Sequence, residues 1–190
     1  DNNVFPFLDS ENHWGREWIE DLYQLCVIDG KSGDRFGPND FANRAEVAKI
    51  AVRLFKLKES GFVSAFQDVK NQDWFSTYVM SAAKSGIIIG YVDAAGGSLF
   101  KANQSITRAE ALKILLTAKG AQINERDLIN PKYSDVNVSD WYYDLVVYAS
   151  QNKIIEGYSS LAVPKFFAPN QPITRAEIAK MAMSVAGLKK

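Results

Sequence analysis

Three apolar runs dominate the chain: VAKIAVRLF from Val47, ALKILLTAK from Ala111 and IAKMAMSVA from Ile178. In the first, Val47, Ile50 and Leu54 form one stripe of a 3.6-residue period, and Ala45, Ala48, Ala51 and Phe55 form another. A helix that is apolar most of the way round is buried by several neighbours, and its alanines allow close approach. A second class of segment is apolar on one face only, with apolar residues four, five and eight positions after a tryptophan. These are Trp18, Ile19 and Leu22, then Tyr78, Val79 and Ala82, then Leu145, Val146 and Ala149. They predict amphipathic helices. Glycine tolerates the left-handed cap conformation, so each is expected to end near the glycine that follows, Gly30, Gly90 or Gly157. Turn-rich loops then lead to the apolar helices.

The two classes alternate three times, and the punctuation between them is fixed. An aspartate (Asp9, Asp68, Asp135) precedes the tryptophan (Trp14, Trp74, Trp141) by five or six residues. The glycine follows that tryptophan by sixteen, and a phenylalanine (Phe36, Phe100, Phe167) precedes the arginine of an RAE triplet by eight. Self-similarity of this kind marks a repeat architecture. The expected units are residues 1–60, 61–125 and 126–190. One unit of roughly 60 residues buries too little surface to be robust alone. The three apolar helices are therefore expected to share one core in a pseudo-threefold arrangement, with the first helices and loops outside and the phenylalanine plugging each loop inward.

ANRAE and ITRAE open the apolar helices at Ala42, Ile106 and Ile173. Asn43, Thr107 and Thr174 are N-cap residues, and Glu46, Glu110 and Glu177 stand three positions later, as a capping box requires. The arginines are not explained by capping. Arg44, Arg108 and Arg175 fall at the first helical position, where the helix dipole disfavours a cation by roughly 0.3–1 kcal/mol. Two anions fit: the repeat's own Asp9, Asp68 or Asp135, or a ligand carboxylate or phosphate held by the arginine together with free helix N–H groups. If the arginine serves a ligand, Arg108→Ala changes stability little, whereas Glu110→Ala lowers it. The tryptophans fit either the core or a sugar-stacking platform at a groove rim. Tyr91 and Tyr158, after their loop glycines, suit a groove better. Lys31 replaces tyrosine in the first repeat, whose glycine-to-phenylalanine spacing is six rather than ten.

Composition narrows the chemistry. At 47% hydrophobic and 23% charged, the 190-residue chain can bury a core. Lysine plus arginine equals aspartate plus glutamate, 22 each, so no basic field suits nucleic acid. Apolar stretches fall short of the roughly 18 residues that span a bilayer. No Lys/Arg-led leader precedes DNNVFPF, which suggests a mature or excised segment of a longer protein. Cys26 cannot form an internal disulfide, being the one cysteine, and its apolar neighbours suggest burial. One histidine, His13, excludes a multi-histidine metal site. DGKSGD and DAAGGS lack the spacing of a calcium loop. No cofactor is implied, and no motif or unique carboxylate pair points to an enzyme. Three matched sites suit a multivalent binder.

The set F-x-D-V, W, G-Y, F-x-P-N and I-T-R-A-E resembles the S-layer homology domain in three tandem copies, from Phe7 to about Ala186. The resemblance implies a mainly helical, all-α pseudo-threefold prism around a central three-helix bundle. It also implies non-covalent anchoring to a bacterial cell wall, outside the cell. Grooves between copies would bind secondary cell wall polysaccharide, often bearing pyruvylated N-acetylmannosamine, whose ketal carboxylate would answer the arginines. By that resemblance Arg44, Arg108 and Arg175 bind it, and Gly30, Gly90 and Gly157 allow close approach. The tyrosines, the tryptophans and Asp9, Asp68 and Asp135 are further candidates. Some relatives bind peptidoglycan instead. A protein–protein assembly scaffold and an enzyme acting on wall glycan are the competing classes.

Overall fold

The computed structural model describes residues 5–61, 65–124, 133–160 and 163–188, so the expected unit boundary at 125/126 lies outside them. Six α-helices carry the described fold: α1 (Arg16–Gln24), α2 (Arg44–Leu54), α3 (Ser76–Lys84), α4 (Arg108–Lys119), α5 (Tyr143–Gln151) and α6 (Arg175–Ala186). The fold is mainly helical, as expected, with an amphipathic helix and an apolar helix in each repeat.

The apolar helices α2, α4 and α6 pack against one another in all three pairings. Val47, Ala48, Ala51, Leu112, Leu115, Ala179 and Ala182 are buried there. A fully buried aliphatic side chain contributes about 1.5–3 kcal/mol. The amphipathic helices pack outside this trio and are offset by one repeat. Helix α3 lies on α2, α5 on α4 and α1 on α6. Each first helix thus covers the second helix of the preceding repeat, and the last repeat is covered by the first. Ile19, Leu22, Val79, Ala82, Val146 and Ala149 face inward with no exposed surface, on the stripe their spacing predicts.

Three features differ from the expectations. The amphipathic helices end six residues before the glycines, at Gln24, Lys84 and Gln151. The left-handed residue after each is Cys26 (φ 56°), Gly86 (φ 70°) or Lys153 (φ 56°). Cys26, in that turn, is exposed rather than buried. The glycines answer a packing constraint instead. A Cβ on Gly90 would come 2.4 Å from the Phe66 ring and 2.7 Å from the Leu99 carbonyl, and one on Gly157 2.3 Å from the Tyr133 ring. The loops of the second and third repeats also contain hairpins, which the loop reading missed. Strands β1 (Tyr91–Val92) and β2 (Ser98–Leu99) pair antiparallel, as do β3 (Tyr158–Ser160) and β4 (Val163–Phe166). Strands of two to four residues give too little alternation to register in a sequence.

Phe36, Phe100 and Phe167 plug the loops into the core, at 2%, 0% and 0% exposed. The aspartates hold them there. Asp9 accepts hydrogen bonds from Phe36 N and Gly37 N, Asp68 from Phe100 N and Lys101 N, and Asp135 from Phe167 N and Ala168 N, all at 2.7–2.9 Å. Each carboxylate spans two successive amides, the second on a residue with φ near +60° or +70° (Gly37 72°, Lys101 60°, Ala168 59°). The aspartates are loop clamps. They are not partners of the RAE arginines.

Candidate functional site

The capping boxes form as the spacing predicts. The Asn43, Thr107 and Thr174 side chains accept from the backbone N–H of Glu46, Glu110 and Glu177, and each glutamate accepts in return from the N-cap amide. The other first-turn amides are satisfied by a neighbouring repeat. Arg44 N donates to Gln104 O and Ala45 N to Ala102 O; Arg108 N and Ala109 N donate to Gln171 O and Pro169 O; Arg175 N and Ala176 N donate to Asp40 O and Pro38 O. The residues before the caps close a ring: Ala42 N donates to Ile173 O, Ile173 N to Ile106 O and Ile106 N to Ala42 O, at 2.9–3.1 Å. No helix end is free to bind an anion through these amides, so that part of the expectation fails. Backbone groups at a buried junction must be paired, and the repeats pair them with one another.

The arginines are drawn into the same junctions. They are only 5%, 7% and 6% exposed. Arg44 Nε donates to Phe100 O (2.9 Å), Arg108 Nε to Phe167 O (3.0 Å) and Arg175 Nε to Phe36 O (2.9 Å). Their anionic partners are capping glutamates of the next repeat, with the third pairing back to the first. Arg108 Nη1 is 3.2 Å from Glu177 Oε1, and Arg175 Nη1 bonds Glu46. Arg44 Nη1 is 3.8 Å from Glu110, with the Tyr91 hydroxyl bonded to both. Each guanidinium also faces rings: Tyr91 and Phe100 for Arg44, Tyr158 and Phe167 for Arg108, Phe36 for Arg175. Internal pairing is therefore correct as a kind of interaction, with glutamate rather than aspartate as the acid.

These junctions form the floors of three surface grooves, and each groove draws on all three repeats. The first, about 300 Å³, is lined by Gly30, Lys31, Glu46 and Lys49, with Arg175 below and Trp74 at the rim. The second, also about 300 Å³, has Gly90, Tyr91, Glu110 and Lys113, with Arg44 and Trp141. The third, about 240 Å³, has Gly157, Tyr158, Glu177 and Lys180, with Arg108 and Trp14. Their sizes fall at or just below the small end of the roughly 300–1,000 Å³ typical of small-molecule clefts.

The structure thus gathers the sequence-derived arginines, glycines, tyrosines, tryptophans and capping glutamates at the grooves, and leaves Asp9, Asp68 and Asp135 outside them. The tryptophans are not core residues. Trp14, Trp74 and Trp141 are 53–56% exposed. One family of groove residues was missed. Lys49, Lys113 and Lys180 stand three positions after the capping glutamates, and a recurring RAE-x-x-K was there to be read. Lys49 and Lys113 lie 5.9 and 5.5 Å from the rings of Trp74 and Trp141, and Lys180 lies 5.3 Å from Trp18.

Electrostatics follow from this half-buried setting. Burial pushes the Tyr158 hydroxyl up to about 12, and its hydrogen bond to Glu177 adds to the rise, so it stays a donor. Burial also raises Tyr91 against the opposing charge of Arg44. Burial alone would raise Glu177, but hydrogen bonds from Tyr158 and Thr174 and the charge of Arg108 hold it below its ordinary value. Burial pulls Arg175 down, against the support of Glu46.

A sequence profile of the S-layer homology domain matches residues 6–48, 65–112 and 132–179. The chain is 31% identical over 91% of its length to Exoglucanase XynX of Acetivibrio thermocellus, covering 15% of that protein. It is likewise 31% identical over 91% to the Amylopullulanase of Thermoanaerobacterium thermosulfurigenes, covering 9%. It is 30% identical over 87% to the Surface-layer 125 kDa protein of Lysinibacillus sphaericus, covering 13%. The chain therefore spans at most 15% of the length of these relatives.

Proposed function

The chain belongs to the S-layer homology family, and on that premise we propose that it is a cell-wall anchoring module which binds an anionic wall glycan in its three inter-repeat grooves. The observation that carries this reading is the threefold recurrence of one groove. Each has a buried guanidinium in its floor, an ammonium in its wall and an exposed tryptophan at its rim. A fold needs only the buried arginine at such a junction. An exposed indole beside a lysine stabilises nothing in the core, but it suits stacking on a sugar that carries a carboxylate. The ligand that fits is secondary cell wall polysaccharide bearing pyruvylated N-acetylmannosamine, with the module outside the cell as part of a longer surface protein. Relatives named both as glycan-degrading enzymes and as a surface-layer protein are consistent with an accessory role that is indifferent to its cargo. No helix among the described residues is long and apolar enough to cross a membrane.

The test is a pull-down of the full chain on purified bacterial cell walls, before and after chemical removal of their secondary polysaccharide. Binding should fall with removal. Binding retained on the stripped walls would transfer the assignment to peptidoglycan. Failure to bind either preparation, with self-association in solution instead, would favour an assembly scaffold.

A further inference from the structure

The three grooves share a plan but not a charge. The residue before the groove glycine is Asp29 in the first, Ile89 in the second and Glu156 in the third. That position faces the groove lysine. Lys49 is bonded to Asp29, and Lys180 Nζ lies 3.3 Å from Glu156 Oε2. Lys113, opposite Ile89, has no carboxylate within ion-pair distance among the described residues. Its ammonium lies over the face of Trp141, 5.5 Å from the ring centre.

The arginines differ in the same order. All three guanidinium nitrogens of Arg175 are engaged, because Nη2 donates to Asp29 O at 3.0 Å. Arg44 and Arg108 use Nε and Nη1, and Nη2 meets no acceptor among the described residues. Arg108 faces its glutamate directly at 3.2 Å, while Arg44 stands 3.8 Å from Glu110 across the Tyr91 hydroxyl. The second groove therefore holds two cations against one carboxylate. In the third, Glu156 and Glu177 balance Arg108 and Lys180. In the first, Asp29 and Glu46 face Lys49 and Arg175, and the extra Lys31 is bonded at 2.7 Å to Asp40, which Arg35 also approaches at 3.7 Å, so there too each groove lysine already has an acid.

We propose that the grooves are functionally unequal: the one bounded by Arg44, Tyr91, Lys113 and Trp141 is the chain's principal site for a carboxylate-bearing sugar, and Lys113 sets that preference. This rests on the glycan-binding reading above. A carboxylate entering the first or third groove must compete with a resident acid for the lysine. In the second it completes a pair the protein leaves open. One further charge-assisted hydrogen bond corresponds to roughly a ten- to hundredfold gain in affinity.

The three rim tryptophans make the grooves separately readable. The full chain, with nitrogen-labelled indoles assigned by single Trp→Phe variants, is titrated with the methyl glycoside of pyruvate-ketal N-acetylmannosamine and with its neutral methyl ester. The Trp141 resonance should saturate at a ten- to hundredfold lower concentration of the acid than Trp14 or Trp74, and the ester should abolish the difference. Ile89→Glu supplies the missing acid at a residue 79% exposed. It should leave the melting temperature unchanged and bring Trp141 down to the level of the others. Glu156→Ile should strengthen binding at Trp14. Equal saturation of all three indoles, absence of any shift, or an Ile89→Glu variant that binds like the parent would overturn the proposal. If wall binding still depends on the polysaccharide in that case, the inequality of the grooves fails while the anchoring function stands.

Discussion

Deleting Arg108 should cost the fold far more than an arginine held ready for a ligand would. Arg108→Ala removes two charge-assisted hydrogen bonds, to Phe167 O at 3.0 Å and Glu177 Oε1 at 3.2 Å, and a guanidinium lying 4.6 Å from the Tyr158 ring. Such bonds contribute about 1.5–3 kcal/mol each. Two effects offset the loss. The Glu177 side chain is 21% exposed, so water partly replaces the arginine, and its bonds from Tyr158 and Thr174 survive. Removing a cation from a helix N-terminus returns roughly 0.3–1 kcal/mol. A net loss of about 3 kcal/mol remains, which for a domain of this size lowers the melting temperature by about 6–12 °C. The three arginines should differ by what they bond. Arg175→Ala loses three bonded nitrogens and should cost most; Arg44→Ala, whose Nη1 reaches a neutral hydroxyl with its carboxylate at 3.8 Å, should cost least. Scanning calorimetry and urea titration on the full chain give the order. Arg108→Ala in a Glu177→Gln background should cost less than in the parent, since the side chain left behind is a neutral amide and no carboxylate loses its partner. A loss for Arg108→Ala below about 1 kcal/mol, where surface substitutions fall, would refute the junction-clamp reasoning.

The fragment from Phe66 to Lys119 should not show a cooperative thermal transition, because its first-helix partner α2 and its arginine's partner Glu177 belong to the other repeats. A sharp calorimetric peak from that fragment alone would mean that one repeat is self-sufficient. Acid should destabilise the fold through Glu177 and Asp9. Burial raises both, but hydrogen bonds and nearby cations outweigh it and leave them below their ordinary values. A depressed folded pKa gives stability that is present above the unfolded value and lost as pH falls through the folded one, so melting temperatures should drop below about pH 4. Glu177→Gln should flatten that limb, and an unchanged acid profile would remove Glu177 from the account. Gly90→Ala, at φ 79° and with a Cβ 2.4 Å from the Phe66 ring, should cost more than about 1 kcal/mol in chemical denaturation. A neutral result would show that Phe66 moves aside freely.

The sequence by itself determined the repeat, the two helices in each copy, and which face of each helix is buried. Periodicity encodes those faces, and Thr107 with Glu110 writes a helix start in local chemistry that needs no distant partner. It also supplied most of the groove residues, because a side chain kept at the same offset in three copies stands out from its surroundings. Lys49, Lys113 and Lys180 were equally legible, but lysines on a helix read as solvated surface. What the sequence did not determine was which copy each residue meets. Arg108 carries the same local signal as Arg44 and Arg175, and nothing in its neighbourhood in the chain distinguishes the glutamate of its own helix from that of the next. Closure of three helices on one another decides it, by placing each arginine under the neighbouring loop and each first helix on the preceding apolar helix. Asp9, Asp68 and Asp135 clamp loop amides within their own repeats, whereas closure turns the exposed tryptophans toward grooves that no single repeat contains. Local propensity fixes elements within a repeat; the pairing of buried polar groups across repeats exists only once the ring is closed, because only then do those groups leave water together.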